Sequence, residues 1–238
     1  MSEARFSRMH LLVGAAGLGK LQAASVAVFG IGGVGSYAVE ALTRAGVGKL
    51  TLIDFDDVCV TNINRQIHAL DSTVGRSKVE VMAERCRAIN PQADVVAIQK
   101  FYGAENSSEL LVPQFDYVLD CIDSITAKLH LLQSCYQQEL PIISSMGAAN
   151  KLDPTQVQVA DLENTKKCRL ARIIRKELRK RGIEQGIKVV FSTEEFRPLN
   201  DSNADERKPL LGSSSYLPPI FGLTMAGEVI QALLEEQD

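Results

Sequence analysis

Between a short apolar run at residues 25–31 and a helical stretch at residues 34–45 stands the turn Gly30-Ile-Gly-Gly-Val-Gly35. Strand, glycine-rich turn and helix in that order leave few folds open. The first run is continuous rather than alternating, which reads as a parallel strand buried on both faces. The helix keeps Val34, Ala38, Ala41, Leu42 and Ala45 on one side and stops at Gly46, a residue suited to a left-handed cap. Glycine lets a backbone approach a phosphate closely. The helix start adds unpaired N–H groups and partial positive charge.

The alternation continues downstream. Strands are expected at Lys49–Ile53, 95–98, 117–122 and 141–144, and helices at 77–89 and Ile125–Gln137. Asn90-Pro91 ends the first of these helices. This β–α–β order predicts an α/β fold, a Rossmann-like, doubly wound, mostly parallel sheet with ligands beyond the strands' carboxyl ends. Residues 5–24 read as helix and connector. After Gly147 the character changes. Residues 155–160 alternate polar and apolar, as a half-exposed antiparallel strand does. A basic helix at 166–181, a strand at Lys188–Ser192, a polar mobile loop at 197–215 and an amphipathic helix at 219–237 follow. The sheet is therefore expected to be extended by antiparallel C-terminal strands. A length of 238 residues suits one domain. It would comprise an N-terminal helix (5–24), a nucleotide-binding core (25–147) and a C-terminal extension (148–238).

A net charge of −3 argues against bulk electrostatic binding of nucleic acid but leaves room for a local patch. The five cysteines, at 59, 86, 121, 135 and 168, form no CxxC pair. Structural zinc is therefore not expected, and scattered thiols suit a cytoplasmic setting. No secretory signal and no uninterrupted membrane-spanning stretch is read.

Chemistry-bearing residues gather behind the turn. Asp54 closes the second strand, where a carboxylate can accept hydrogen bonds from ribose hydroxyls. Asp56 lies beyond an ordinary dinucleotide pattern, and Asp57 reads as a solvated turn. Asn62, Arg65 and Gln66 come next. Arg65 can fork onto phosphate oxygens, and Lys78 can reach the same anion as a point charge. Asp123, past the fourth strand, stands where a carboxylate can hold Mg²⁺ on a triphosphate. Each residue alone could equally be surface, but their joint placement at strand ends favours ATP over NAD. His68 reads as packing or capping and Cys121 as a small buried hydrophobe; His10 and His130 carry no signal. The sequence Gly14-Ala-Ala-Gly-Leu-Gly-Lys20 imitates a P-loop, but Leu21 stands where a metal-binding hydroxyl is required.

These residues resemble the ubiquitin-activating-enzyme-like superfamily of adenylyltransferases, which includes the molybdopterin-synthase and thiamin-pathway activators. Within it, the resemblance is strongest to the tRNA threonylcarbamoyladenosine dehydratases. It is carried by Asp56-Asp-Val-Cys-Val-Thr-Asn-Ile-Asn-Arg-Gln-Ile-His68, Lys78-Val-Glu-Val-Met-Ala-Glu-Arg85, Ile89-Asn-Pro91, Asp153-Pro-Thr-Gln-Val-Gln158 and Val190-Phe-Ser-Thr-Glu194. The resemblance implies ATP with Mg²⁺ and an acyl-adenylate on a carboxylate. Gly30, Gly32, Gly33 and Gly35 would pack against the phosphates and Asp54 would hold the ribose. Asn62, Arg65 and Lys78 would hold phosphates, with Gln66 lining the site and Asp123 organising the metal. It also implies a homodimer in which Arg8 reaches the neighbouring subunit's triphosphate, and sulfur-transfer proteins as further partners. The dehydratases activate the threonyl carboxylate of a modified adenosine in tRNA, and loss of water closes a ring. Two features depart from the sulfur-carrier activators. The zinc CxxC pairs are missing, and the segment before the last helix, Gly212-Ser-Ser-Ser-Tyr-Leu-Pro-Pro219, has no cysteine.

The basic helix fits an RNA substrate. Arg169, Arg172, Arg175, Lys176 and Arg179 are its candidate contacts, with Leu170, Ile173, Ile174 and Leu178 as its apolar stripe. A solvated, packed helix accounts for the same charges. The readings stand in order: a tRNA-modifying dehydratase, an adenylylating activator of a ubiquitin-like sulfur carrier, an ATP-binding scaffold without turnover, and last an NAD-dependent reductase.

Overall fold

The computed structural model describes residues 5–112, 114–197 and 211–235. Its centre is a seven-stranded sheet. The strands are β1 (Ser25–Phe29), β2 (Lys49–Ile53), β3 (Asp94–Ile98), β4 (Tyr117–Asp120), β5 (Ile142–Ser145), β6 (Val157–Asp161) and β7 (Lys188–Ser192). Their spatial order is β3-β2-β1-β4-β5-β7-β6. Every pairing is parallel except β6 with β7, so the expected mixed sheet is present. The helices are α1 (Ser7–Ala23), α2 (Gly35–Ala45), α3 (Lys78–Ile89), α4 (Ser107–Leu110), α5 (Ile125–Gln137), α6 (Arg169–Arg179) and α7 (Leu217–Leu234).

The order reverses at β1, which pairs β2 on one side and β4 on the other. A crevice opens there beyond the carboxyl ends, because the connections leave toward opposite flanks. The two faces of the sheet are covered by separate cores. One holds Leu131, Leu132, Ile174 and Leu178 from α5 and α6. The other holds Val39, Leu42, Val79, Met82, Phe221 and Met225 from α2, α3 and α7. Each such side chain stabilises the fold by roughly 1.5–3 kcal/mol over its exposed state.

Several boundaries differ from the sequence pattern for local reasons. The N-terminal helix breaks at Gly14 (φ 72°, ψ 178°), where only glycine bends the chain without strain. The P-loop imitation lies within α1, and Lys20 Nζ donates to Leu234 O (2.9 Å) and Glu235 O (3.4 Å), tying the end of α7. Strand β6 begins two residues late, because Asp153 and Pro154 start a 3₁₀ turn in which Asp153 accepts from Thr155 N. The basic helix is shorter than 166–181. Lys167 adopts a left-handed backbone (φ 58°) that halts helix extension, and Cys168 caps the start. Its stripe is also shifted: Ala171, Ile174 and Leu178 are buried while Ile173 faces solvent.

Helix α7 starts at Leu217. By length and composition it alone among the described residues could cross a bilayer, but Leu217, Phe221, Met225, Ala226 and Val229 are buried in the core. Of the loop expected at 197–215, residues 198–210 lie outside the described residues, as do the last two of the helix expected at 219–237.

Candidate functional site

Beyond the carboxyl ends of the strands lies a cavity of about 590 Å³. Gly30, Gly32 and Gly33, Asp54 and Asp56, Asn62, Arg65, Gln66, Lys78 and Asp123 all line it. The fold thus collects ten of the twelve nucleotide- and metal-site residues chosen from sequence. Gly35 and Arg8 are the two that do not.

Gly35 works behind the wall. A Cβ there would sit 1.9 Å from Gly30 O, so α2 can start this close to β1 only with glycine at that position. Gly30 itself has φ +90° and abuts Cys121 O. Arg8 is exposed on the first turn of α1 and does not line the cavity.

Asp54 fixes the turn from the next strand. Its Oδ2 accepts from Ile31 N (2.6 Å) and its Oδ1 from Asp56 N (2.9 Å). Burial pushes its carboxyl above the usual range, against the pull of Lys78 and these N–H groups. A carboxylate offers about four lone-pair sites, so two remain for ligand hydroxyls. The sequence suggested a ribose contact alone; the structure adds the bracing of the turn.

Lys78 is buried at the start of α3, and its Nζ donates to Asp56 Oδ2 at 2.7 Å. Glu40 joins α3 to α2: it accepts from Arg85 Nε (2.7 Å) and Arg44 Nε (2.7 Å). Burial pushes the Glu40 carboxyl up, but the two guanidiniums outweigh that and hold it below the usual range.

Asn62 is buried and its Oδ1 accepts from Cys59 N (3.0 Å), so its side chain shapes the loop as well as lining the cavity. Arg65 Nη1 donates to Thr61 O (2.9 Å) and Asn64 Oδ1 (2.8 Å), which leaves other N–H groups for a ligand. Gln66 Oε1 is buried without a partner among the described residues. An orphan acceptor in a cavity wall fits a ligand hydroxyl or amino group.

Asp123 is exposed and makes no hydrogen bond or ion pair among the described residues. Asp54 and Asp56 are both engaged, and no cluster of three ligating side chains occurs among the described residues. One unengaged carboxylate suits Mg²⁺ carried largely by phosphate oxygens. Bound there, the ion would neutralise phosphate charge.

Under the floor lies a pair the sequence reading missed. Lys128 Nζ donates to Asp120 Oδ2 (2.6 Å), Ser144 Oγ (3.2 Å) and Ser145 O (3.0 Å), with both partners of the ion pair wholly buried. Asp120 Oδ1 accepts from Ile122 N (3.1 Å). The pair anchors the segment that carries Asp123. Cys121 lies in that segment, and burial pushes its thiol far up, which fits a packing role. His68 is buried with both ring nitrogens unpartnered among the described residues. Burial, with Lys78 and Arg85 nearby, pushes it down to about 4, so it is neutral at pH 7.

The far end of the cavity was not legible in sequence. Lys151 and Lys167 line it, as does Arg169; Lys100 lines the opposite end, just past β3. Arg169, chosen as an RNA contact, lies over the Phe196 ring at 4.3 Å. The other basic residues of α6 do not form one continuous face. Arg175 Nη1 donates to Leu162 O, Glu163 O, Thr165 O and Thr165 Oγ1, so that end of its guanidinium is tied to the preceding turn. Arg179 pairs with Glu163 at 3.6 Å. Arg172 and Lys176 remain exposed.

A model of the ThiF family matches residues 6–238. The chain belongs to the ThiF family. Among curated ThiF-like relatives, the tRNA threonylcarbamoyladenosine dehydratase of Bacillus subtilis is 43% identical over 98% of this chain and 95% of its own length. The molybdopterin-synthase adenylyltransferase of Escherichia coli is 35% identical over 62% of this chain and 58% of its own length. The crystal structure of the E. coli tRNA N6-threonylcarbamoyladenosine dehydratase in complex with AMP superposes with a TM-score of 0.90 at 38% identity, covering 97% of this chain and 94% of that one. The same enzyme in complex with ATP gives 0.87. ThiF-family membership agrees with the sheet order and with the glycine turn at the switch point.

Proposed function

We propose that this protein is an ATP-dependent tRNA threonylcarbamoyladenosine dehydratase. The observation that carries the reading is the near-full-length similarity to dehydratases from B. subtilis and E. coli. The cavity's chemistry agrees with it. The substrate carboxylate attacks the α-phosphorus of ATP, the bond to the β-phosphate breaks, and pyrophosphate leaves. A group on the same substrate then attacks the acyl carbon and AMP leaves. Ring closure is intramolecular, so a protein nucleophile is not required.

Arg65 and Lys78 offset charge on the phosphates, Asp54 and Gln66 face the ribose and base, and Asp123 would hold Mg²⁺, which would neutralise phosphate charge. Arg8 serves a second copy of the chain. Leu11 and Leu12, beside it on α1, are 65% and 83% exposed, which supports a homodimer that covers this helix. A cytoplasmic setting and sulfur-transfer partners follow from the same reading. The sulfur-carrier alternative is disfavoured, because its relatives match less of the chain.

The test is turnover of threonylcarbamoylated tRNA by the purified protein with ATP and Mg²⁺, read as AMP release and mass loss of one water. Pyrophosphate exchange with a Gly-Gly-ended carrier protein, and none with tRNA, would overturn the reading. Arg65→Ala should lower turnover about 10²–10³-fold with the fold intact, as for loss of one charge-stabilising donor.

A further inference from the structure

The cavity has two chemically distinct halves, and only one is explained by ATP. The nucleotide half lies at β2, β1 and β4 and contains all three lining carboxylates, Asp54, Asp56 and Asp123. The other half lies past β5 and β7, three strands across from β1 at the far end. Adjacent strands stand about 4.8 Å apart, so the two ends are well over one nucleotide ring apart. That second half is lined by Lys151, Lys167, Arg169 and Phe196, with no carboxylate among its described lining residues.

Within it, Arg169 is held in an unusual way. Its guanidinium lies 4.3 Å from the centre of the Phe196 ring. Among the described residues it makes no ion pair and no side-chain hydrogen bond. An aromatic ring orients a guanidinium plane without consuming its N–H groups. Lys167 stands two residues before it, held at 3.1 Å by Glu195 next to Phe196. Lys151 Nζ donates to Ser192 O (2.9 Å) and Glu194 O (2.5 Å). An ammonium has three donors, so one remains for a ligand.

We infer that the Arg169–Phe196 pair is the platform on which the modified nucleobase of the tRNA substrate stacks, with Lys151 and Lys167 receiving its anionic groups. This rests on the proposed dehydratase reading and adds the substrate subsite to it. A flat cation–aromatic pair suits a purine drawn out of its strand, since unstacked bases are recognised on aromatic rings and guanidinium planes. A Gly-Gly peptide tail has no aromatic ring to place there. Three cations against the one carboxylate of Glu195 leave an excess of positive charge that complements a carboxylate joined to a phosphate backbone.

The test separates base stacking from nucleotide binding. Phe196→Ala and Arg169→Ala should each raise KM for threonylcarbamoylated tRNA about tenfold, the loss of one base stack, while the Kd for ATP stays within about twofold. Arg169→Lys, which keeps charge but loses the plane, should behave like Arg169→Ala. Phe196→Trp keeps an aromatic face at the platform. The chain has no tryptophan, so its fluorescence then reports the site: an anticodon stem–loop carrying the modified adenosine should quench it, and ATP alone should not.

Unchanged KM in both alanine variants, in an otherwise active enzyme, would overturn the platform and leave the dehydratase reading standing. Equal loss of ATP and tRNA affinity would place the pair in the nucleotide half and also overturn it. A wild-type protein that neither turns over tRNA nor binds the stem–loop would overturn both.

Discussion

The Lys78–Asp56 and Lys128–Asp120 pairs have almost the same length, 2.7 and 2.6 Å. Their surroundings differ. Lys128 and Asp120 are wholly buried, and a serine hydroxyl, a backbone carbonyl and a backbone N–H complete their bonding. Lys78 is buried too, but its partner Asp56 is 45% exposed in the cavity wall. The first pair has no open side and can only hold β4 to α5 and β5. The second has a wet face, so an arriving phosphate can share the ammonium. Geometry of the bond does not tell structure from function here; access does.

Lys128→Met should break that contrast most severely. It strands the Asp120 carboxylate without a counter-charge and should cost about 3–5 kcal/mol of stability, read as the urea midpoint. A loss below about 1 kcal/mol would show the two pairs to be alike. Lys78→Met should do the opposite. Turnover should fall about 10²–10³-fold, while stability changes by no more than about 1 kcal/mol, as for a pair screened by solvent.

His68 sharpens the comparison, because it lies near Lys78 and shares its burial. Its folded pKa of about 4 lies below the ordinary 6.5. The unfolded chain therefore binds the proton first, and stability is lost as pH falls from about 6.5 toward 4. The full effect is roughly 3 kcal/mol at 1.36 kcal/mol per unit. His68→Leu should flatten the stability curve in that window; an unchanged curve would assign the acid sensitivity elsewhere.

The smallest effects separate the arginines of α6. Arg172→Glu should weaken tRNA binding and lower its salt slope by about one. Arg175→Glu should instead lower the unfolding temperature, because its guanidinium secures the turn at Leu162–Asn164. Equal effects of the two on tRNA affinity would restore a continuous basic face.

The sequence was legible wherever a signal was local. Residues 25–53 show strand, turn, helix and strand in one run, and the observed β1, α2 and β2 follow it closely. Asp54 was readable because it directly ends a strand. By contrast, Lys128 looks like any exposed lysine of an amphipathic helix. Only pairing of β4 with β5 brings Asp120 and Ser144 into register and turns that position inward. Arg169 was chosen for its charge among many arginines, but its partner Phe196 lies 27 positions later, across β7.

The chain by itself determined the alternation of strands and helices, the glycine turn and the acids and bases that follow it, because those depend on neighbours a few residues apart. Tertiary structure alone decided which charges face the cavity, which are sealed beneath it and which are spent on backbone carbonyls. Burial and access are properties of the packed sheet, and no spacing along the chain encodes them directly.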